Sequence, residues 1–379
     1  MSERDEAGIG AADDHEDLIA AGLYDPSAPH AAERLELLLF LADEVGASIP
    51  ELVQADEEDR LLSIAAFRAI RPEARFTLAE VAAEAGTDVD FAARVWRAAG
   101  FPNPRPFERR FGPADVAMFE LLRVGAEFVG EGGMLQLVRT LGQATAQIAE
   151  SEIALVRSTM EAPLSAQQRW VDIARGYRDV VASLFPRVVE ALDTLHRHQV
   201  DAIARRYVGS TPNPTNVVPL AVGFADLCGF TGLSTRLAAD ELGRMLADFE
   251  AVTGDTVAAA GASVVKRIGD ALMFVTNAPG VACALSLDLI EACGRARLPK
   301  LRAGVTFGDV IVRQGDFYGP VVNLAARLVA AAEPGTALTD ESLQQRLARV
   351  RGRYTFVPAG RLELHGLTEA VAAYQLLRP

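Results

Sequence analysis

The chain has 379 residues, 50 % of them hydrophobic, and a formal net charge of −14, so it can bury a sizeable core and hold two domains. Residues 217–379 contain 16 basic and 16 acidic side chains, so the acidic excess lies in residues 1–216, which disfavours nucleic acid and anionic membranes as partners. The three cysteines lack metal-type spacing, and we find neither a signal peptide nor an uncharged apolar run of about 18 residues. We therefore expect a cytoplasmic protein without a transmembrane segment.

The N-terminal half has a helical pattern. Residues 1–16 contain few apolar side chains and are expected to form a disordered acidic tail. From residue 17 to residue 208, apolar side chains recur at helical spacing, which predicts an all-helical domain. Within it, TLAEVAAEAG (77–86) begins with a capping-box pattern and ends in glycine. Two further helices are predicted on either side of Pro186.

The pattern changes after the segment GSTPNPTN (209–216), which is predicted to be a linker because its glycine and prolines cannot continue a helix. Residues 217–379 alternate short β-branched runs with helical stretches. Gly269-Asp270 joins one pair of predicted strands, and the runs LRAGVTFG and VIVRQG form a second pair. This order predicts an α+β domain with a ferredoxin-like βαββαβ sheet and its helices on one face.

Two carboxylates follow strands of this predicted sheet. Asp226 ends the apolar run LAVGFAD, and Asp270 lies in the turn of KRIGDALM. Because those strands can lie side by side, the two carboxylates would meet at one edge and raise each other's pKa unless a cation separates them. Oxygen ligands without histidine or cysteine favour Mg²⁺ or Mn²⁺. Two unrelated turn aspartates remain the alternative at this point.

Two further features are compatible with a bound nucleotide. The loop LCGFTG after Asp226 contains two glycines and leads into a predicted helix, so its backbone N–H groups can contact phosphates. Asn323 and Arg327 are four residues apart on one helix face, where an amide and a guanidinium can contact a ribose and a phosphate. Such a pair on its own is more often a surface pair.

The segments FADLCGFT, KRIGD and DFYGPVVNLAAR resemble, in this order and at these separations, the catalytic domain of class III nucleotidyl cyclases. The resemblance covers about residues 217–379. It implies an adenylate cyclase, a phosphorus–oxygen lyase that converts ATP to 3′,5′-cyclic AMP and pyrophosphate with two Mg²⁺ or Mn²⁺ ions per active site. The matching residues are Asp226, Leu227 and Asp270 for the metals, Cys228, Gly229, Phe230, Thr231 and Arg302 for the phosphates, Lys266 and Asp316 for the adenine edge, and Asn323 and Arg327 for the transition state.

The resemblance also implies the base and the assembly. Lys266 can donate to adenine N1 and Asp316 can accept from the 6-amino group, whereas guanine would mismatch both contacts, so ATP is expected rather than GTP. In this family the metal aspartates come from one chain, and the base-reading and transition-state residues come from the other. A chain with a single catalytic domain is therefore expected to form a homodimer with two equivalent composite sites.

Three histidines are candidates for pH sensitivity. His365, in LELHGLTE, stands where the family usually has a phosphate-binding lysine, and its charge would change near pH ~6.5. The helical half resembles, more loosely, the regulatory domain of bacterial cyclases of which some respond to pH. It is expected to modulate activity, for instance by autoinhibition that holds the catalytic domains out of register. His196 and His198 precede the linker and are candidates for such a signal, with exposed positions on a helix as the alternative.

The stretch FTLAEVAAEAGTDVDFAARVWRAAGFP (76–102) resembles a helix-turn-helix. It supports an alternative function, a DNA-binding regulator with a nucleotide-sensing, cyclase-like domain. A recognition helix usually offers several basic side chains, whereas this one offers Arg94 and Arg97 in acidic company. The sequence therefore favours the cyclase.

Overall fold

The computed structural model describes residues 14–70, 74–167, 169–207, 216–348, 354–366 and 368–378. The chain divides into two compact units, Met1–Gln199 and Val200–Pro379. The predicted linker lies outside the described residues except for Asn216. No helix in the described part of the chain is both long and apolar enough to cross a membrane.

The first unit is helical, which confirms the predicted all-α half. Its α-helices among the described residues are α1 Asp14–Ala20, α2 Ala31–Leu39, α3 Ile49–Glu57, α4 Ile64–Ile70, α5 Leu78–Glu84, α6 Val89–Ala98, α7 Pro113–Val156, α8 Ala162–Ser165 and α9 Trp170–Arg206, whose last residues belong to the second unit. Residues 1–13 lie outside the description, and because α1 begins at Asp14, the last three residues of the predicted tail are helical.

Two apolar clusters hold these helices together. One joins α1 to α4 with the start of α9, and the other joins α5, α6 and α7. The capping box at the start of α5 forms: the Glu80 carboxylate accepts from the Thr77 N–H at 2.8 Å, and the Thr77 hydroxyl accepts from the Glu80 N–H at 3.3 Å. The predicted break at Pro186 was wrong, since α9 continues through it; a single proline removes one hydrogen bond, and the turns on both sides persist.

The second unit has one mixed sheet. Its remaining elements are β1 Val217–Leu227, α10 Phe230–Ser234, α11 Ala239–Ala259, β2 Ser263–Ile268, β3 Ala271–Thr276, α12 Pro279–Arg295, β4 Leu301–Arg313, β5 Asp316–Tyr318, α13 Pro320–Ala331, β6 Ala337–Asp340, α14 Glu341–Ala348, β7 Thr355–Leu362 and β8 Val371–Leu377. The strand order is β2-β3-β1-β4-β6-β8-β7, with β5 paired to β4. The segment from β1 to β4 is the predicted βαββαβ pattern.

The predicted second pair of strands is one continuous strand. β4 pairs with β1 from Leu301 opposite Leu227 to Ile311 opposite Val217. Gly308 lies within this long pairing, opposite Leu220. The hairpin partner of β4 is instead the short β5.

The two helices of the predicted βαββαβ pattern lie on one face of the sheet, as predicted, and the later helix α13 covers the opposite face. α11 and α12 pack on one face, where Phe249 contacts the cluster that contains Leu272 and Phe274. α13 packs on the opposite face, where Ala325 joins Val222 and Met273. The sequence pattern could not distinguish these faces because the central strands are apolar on both sides.

Candidate active site

The structure brings the two predicted metal-binding aspartates to one edge of the sheet. Asp226, near the end of β1, lies opposite Ala271, the first residue of β3. Asp270 immediately precedes Ala271, and its carbonyl accepts from the Leu227 N–H at 3.2 Å. Partial burial raises the pKa of Asp270, and the adjacent Asp226 carboxylate raises it further. The two carboxylates therefore repel each other without a cation between them.

Arg302 is the cationic neighbour of Asp226. It lies directly opposite Asp226 on β4, and its Nε and Nη2 atoms donate to Asp226 Oδ2 at 3.0 and 2.7 Å. Its Nη1 atom donates to the Ala330 carbonyl at the end of α13 at 2.8 Å. The predicted phosphate-contacting arginine is thus held beside a predicted metal ligand.

The donors at this edge fit a magnesium-type cation that is bound together with a phosphate substrate. Asp226 and Asp270 supply hard carboxylate oxygens, and the described residues contain no cluster of three or more His, Cys, Asp or Glu side chains that could enclose a metal. Mg²⁺ is commonly held by one or two carboxylates, with water and substrate phosphates completing its coordination. A site with two carboxylates therefore suits a metal–nucleotide complex better than a closed structural metal site.

The loop that follows β1 turns sharply into α10. The Cys228 N–H donates to the Lys300 carbonyl at 2.8 Å, and Gly229 has a φ of 78°, in the left-handed region that glycine adopts without strain. Phe230 and Thr231 begin the short helix α10. Burial raises the pKa of the Cys228 thiol.

Lys266 and Asp316 form an ion pair although they are 50 residues apart in the chain. The distance from Lys266 Nζ to Asp316 Oδ2 is 2.5 Å, and the side chains are 39 % and 26 % exposed. Asp316 Oδ1 also accepts from the Phe317 N–H at 2.8 Å, which orients the carboxylate. A donor and an acceptor are therefore presented side by side at a partly exposed position.

Asn323 and Arg327 occupy the outward face of α13. Both are exposed, whereas Ala325 and Leu328 on the same helix are buried. Within the described residues, neither Asn323 nor Arg327 has a side-chain hydrogen bond or ion pair with another side chain. The pair is therefore presented outward, without a partner from the described part of its own chain.

The three histidines proposed for pH sensitivity are all exposed. His365 is exposed and follows the buried Leu364 after β7. His196 and His198 are exposed on α9, which is the alternative interpretation given for them from the sequence. Their role in a pH response stays a prediction.

The structure weakens the DNA-binding alternative. The two helices of the helix-turn-helix pattern are α5 and α6, and both arginines on α6 are already engaged. Arg94 pairs with Glu131 at 2.9 Å, and Arg97 donates to the Asn103 side chain at 3.0 Å. Arg94 and Arg97 are the two basic side chains of α6, and each has an acceptor on its own chain, whereas a recognition helix usually presents several basic side chains outward.

Sequence reasoning missed a β-bulge in β2 beside Lys266. Val264 pairs with Phe274 and Lys266 pairs with Met273, so Val265 is an extra residue on β2. A bulge of this kind often lacks glycine and depends on the partner strand, so SVVKRI gives no local signal of it.

Comparison with known proteins gives a family match for each of the two units. A model described as "Adenylate cyclase regulatory domain" matches residues 12–201, and one described as "Adenylate and Guanylate cyclase catalytic domain" matches residues 213–378. The chain is 34 % identical to "Uncharacterized protein Rv2212" of Mycobacterium tuberculosis, over 96 % of this chain and 94 % of that protein. It is 34 % identical to the adenylate cyclase of Streptomyces coelicolor, over 74 % of this chain and 73 % of that protein. It is 27 % identical to the pH-sensitive adenylate cyclase MT1302 of M. tuberculosis, over 92 % of this chain and 88 % of that protein.

Proposed function

The chain belongs to the adenylate cyclase family, with a regulatory domain ahead of a cyclase catalytic domain, and we propose that it converts ATP to 3′,5′-cyclic AMP and pyrophosphate. The observation that carries this proposal is the pair of carboxylates, Asp226 and Asp270, held at one sheet edge beside the Arg302 guanidinium. Two acids and an arginine at one place suit a phosphate substrate that arrives with divalent cations.

Asp226 and Asp270, with the Leu227 carbonyl, would hold two Mg²⁺ or Mn²⁺ ions. Bound there, such ions would lower the pKa of the ribose 3′-hydroxyl and neutralise phosphate charge. In the reaction, the 3′-hydroxyl gives its proton to solvent and its oxygen forms a bond to the α-phosphorus, while the bond from that phosphorus to the β-phosphate bridging oxygen breaks and pyrophosphate leaves with its electron pair. Catalysis of this kind depends on positioning and charge stabilisation more than on covalent chemistry by side chains.

The chain's own residues supply that positioning. Arg302 and the loop from Cys228 to Thr231 would bind the polyphosphate. Asn323 would orient the ribose, and Arg327 would stabilise negative charge as it develops on the α-phosphoryl oxygens. Lys266 and Asp316 would recognise the adenine edge, because the ammonium donates and the carboxylate accepts at one partly exposed position.

The exposure of Asn323 and Arg327 supports a composite site. Transition-state residues must contact the substrate, yet both side chains face outward from α13 and lack partners within the described part of their own chain. A second copy of the chain can supply the missing surface, and two-fold symmetry then generates two equivalent sites. We therefore propose a homodimer with both sites at the interface.

Formation of cyclic AMP from Mn²⁺-ATP or Mg²⁺-ATP by the full chain tests the proposal. We expect Asp270→Asn to lose nearly all activity because it removes a metal ligand. Asp309→Asn is the matched control, since Asp309 is an exposed aspartate on β4, and it is expected to retain activity. Normal rates in Asp270→Asn would refute the site.

Mixing two inactive variants tests the composite site separately. Asp226→Ala and Asn323→Ala chains carry their defects in different halves of the proposed site. A mixed dimer would therefore contain one intact site, and cyclic AMP formation should return as the chains exchange. Mixtures that exchange chains, as shown by differently tagged copies, and yet stay inactive would contradict the interface site.

We also propose that the regulatory domain modulates this activity with pH. The support is the matched regulatory domain and the similarity over most of the chain to a relative named as pH-sensitive. Cyclic AMP formation by the full chain should change between about pH 5.5 and 8.5, where histidine titrates. If His196→Gln with His198→Gln flattens the profile, the sensor is on α9; if His365→Lys does so, it is in the catalytic domain. A flat profile in the unmodified chain would contradict the proposal.

A further inference from the structure

The bulge in β2 determines which face of the sheet Lys266 occupies. Residues that are directly opposite each other on paired strands share a face. If β2 paired with β3 regularly, without the bulge, Lys266 would lie opposite Leu272, which is buried under α11 and α12. With it, Lys266 lies opposite Met273, on the face that α13 covers. A shift of one residue in register moves a side chain to the other face, so the bulge determines the face of β2 from which Lys266 reaches Asp316.

The neighbouring residue confirms this geometry. Arg267 follows Lys266 and lies opposite Leu272. Its Nη2 atom donates to the Glu250 carbonyl on α11 at 3.3 Å. Lys266 and Arg267 therefore point to opposite faces, and loss of the bulge would exchange their environments.

The last turn of α9 contacts the hairpin formed by β2 and β3, at the end opposite its Gly269-Asp270 turn. Arg206 donates to Ser263 Oγ, at the first residue of β2, at 2.5 Å. The Asn277 amide, just after β3, donates to the Arg206 carbonyl at 2.6 Å. Tyr207 packs in the same apolar cluster as Val265, the bulged residue. The end of α9 thus contacts the first residue of β2 and the residue that follows β3.

The register of β2 needs such support. Among the described strands, β2 is at the edge of the sheet and pairs with β3 alone, so strand pairing there specifies its register from one side. The Arg206 side chain is half-buried, and none of its ion pairs or hydrogen bonds within the described residues involves a carboxylate. Desolvation of an arginine without a carboxylate is unfavourable, so its contact with Ser263 is expected to have a specific role.

We propose that Arg206 is a positioning residue for nucleotide recognition, which fixes the bulged register of β2 through Ser263 and so places Lys266 beside Asp316. The inference rests on the proposed function, because it is that function which assigns Lys266 to the adenine edge. Arg206 itself would not contact the substrate.

The test compares Arg206→Ala with Arg205→Ala in the full chain. Arg205 is the adjacent arginine on α9, exposed and paired with Asp201 at 2.8 Å, so it is a matched control that removes the same charge. We measure the KM for ATP and the inhibition constant of GTP as a competitor. Arg206→Ala removes the hydrogen bond from Arg206 to Ser263, which we propose fixes the position of Lys266. The KM for ATP should therefore rise about tenfold, and the preference for ATP over GTP should fall by a similar factor. Arg205→Ala should match the unmodified chain.

Dependence on Lys266 separates positioning from general destabilisation. If Arg206 acts through Lys266, adding Arg206→Ala to the Lys266→Met variant should cause no additional change in the preference for ATP over GTP. Arg206→Lys, which keeps a donor, should recover part of it. Ser263→Ala, which leaves the arginine in place and removes its acceptor, should shift the preference in the same direction as Arg206→Ala.

The outcomes distinguish the two proposals. An unmodified chain that forms no cyclic AMP refutes the proposed function, and the positioning role with it. An active chain in which Arg206→Ala or Ser263→Ala leaves the ATP preference unchanged refutes the positioning role alone. A full additional effect of Arg206→Ala in the Lys266→Met background also refutes it, because Arg206 would then act through some other part of the unit.

Discussion

Replacement of Lys266 by methionine is the sharpest test of base recognition. The Lys266–Asp316 pair is 39 % and 26 % exposed, and a partly exposed ion pair contributes only about 0–1 kcal/mol to folding. A hydrogen bond from a charged group to a substrate is worth about 1.5–3 kcal/mol. Lys266→Met should therefore leave thermal unfolding nearly unchanged and lower kcat/KM for ATP about tenfold to 150-fold.

An exchange of the two charges controls for the ion pair itself. Lys266→Asp combined with Asp316→Lys restores opposite charges at the same two positions but interchanges the donor and the acceptor that adenine would meet. Initial rates of cyclic AMP formation over a range of ATP concentrations should stay low in this double variant, while its melting temperature should approach that of the unmodified chain. If the exchange restores kcat/KM for ATP, the pair is structural and does not recognise the base.

Two further predictions concern packing and thiol reactivity. Gly304→Ala should lower the free energy of unfolding by about 1–3 kcal/mol, because a Cβ there would lie 2.3 Å from the backbone nitrogen of Val329. Gly294→Ala, in an open position on α12, should instead raise the free energy of unfolding by up to about 1 kcal/mol. Equal melting temperatures of the Gly304→Ala and Gly294→Ala variants would contradict the close approach of α13 to Gly304. A thiol reagent should label the partly exposed Cys228 in the folded chain, and Cys283 and Cys293 only after unfolding. Cys283 and Cys293 are buried, and burial raises the pKa of Cys283 to about 12 and that of Cys293 to about 11. Labelling of all three thiols at one rate in the folded chain would refute this.

Features with a local cause could be predicted from the sequence. The capping box of α5 forms because both of its side chains lie within one turn. β2 covers Ser263–Ile268, the run SVVKRI, because its β-branched residues are followed at once by the Gly269-Asp270 turn. The meeting of Asp226 and Asp270 followed from strand order, since each lies at an end of a strand whose neighbours the βαββαβ pattern specifies.

Features that depend on distant partners could not be predicted. The face that α13 covers is determined by Gly304, whose missing side chain lets the helix backbone approach β4. The bulge at Val265 exists only relative to β3, so a run that is regular in sequence becomes irregular in pairing. The Lys266–Asp316 contact was available only from the family resemblance, because the two residues are on separate elements whose approach depends on that bulge.

Two ion pairs join residues of the proposed site to one another. Asp226 is paired with Arg302, and Asp316 is paired with Lys266, so each of these groups is neutralised by another member of the proposed site. Asp270 forms no ion pair with a lysine or arginine among the described residues, and its pKa is raised by burial and by Asp226, although the nearby Arg302 opposes this shift. Because the pairs are partly exposed, their separation requires little free energy. In the proposed reaction, Arg302 can therefore turn from Asp226 to the phosphates and leave that carboxylate free to bind a cation.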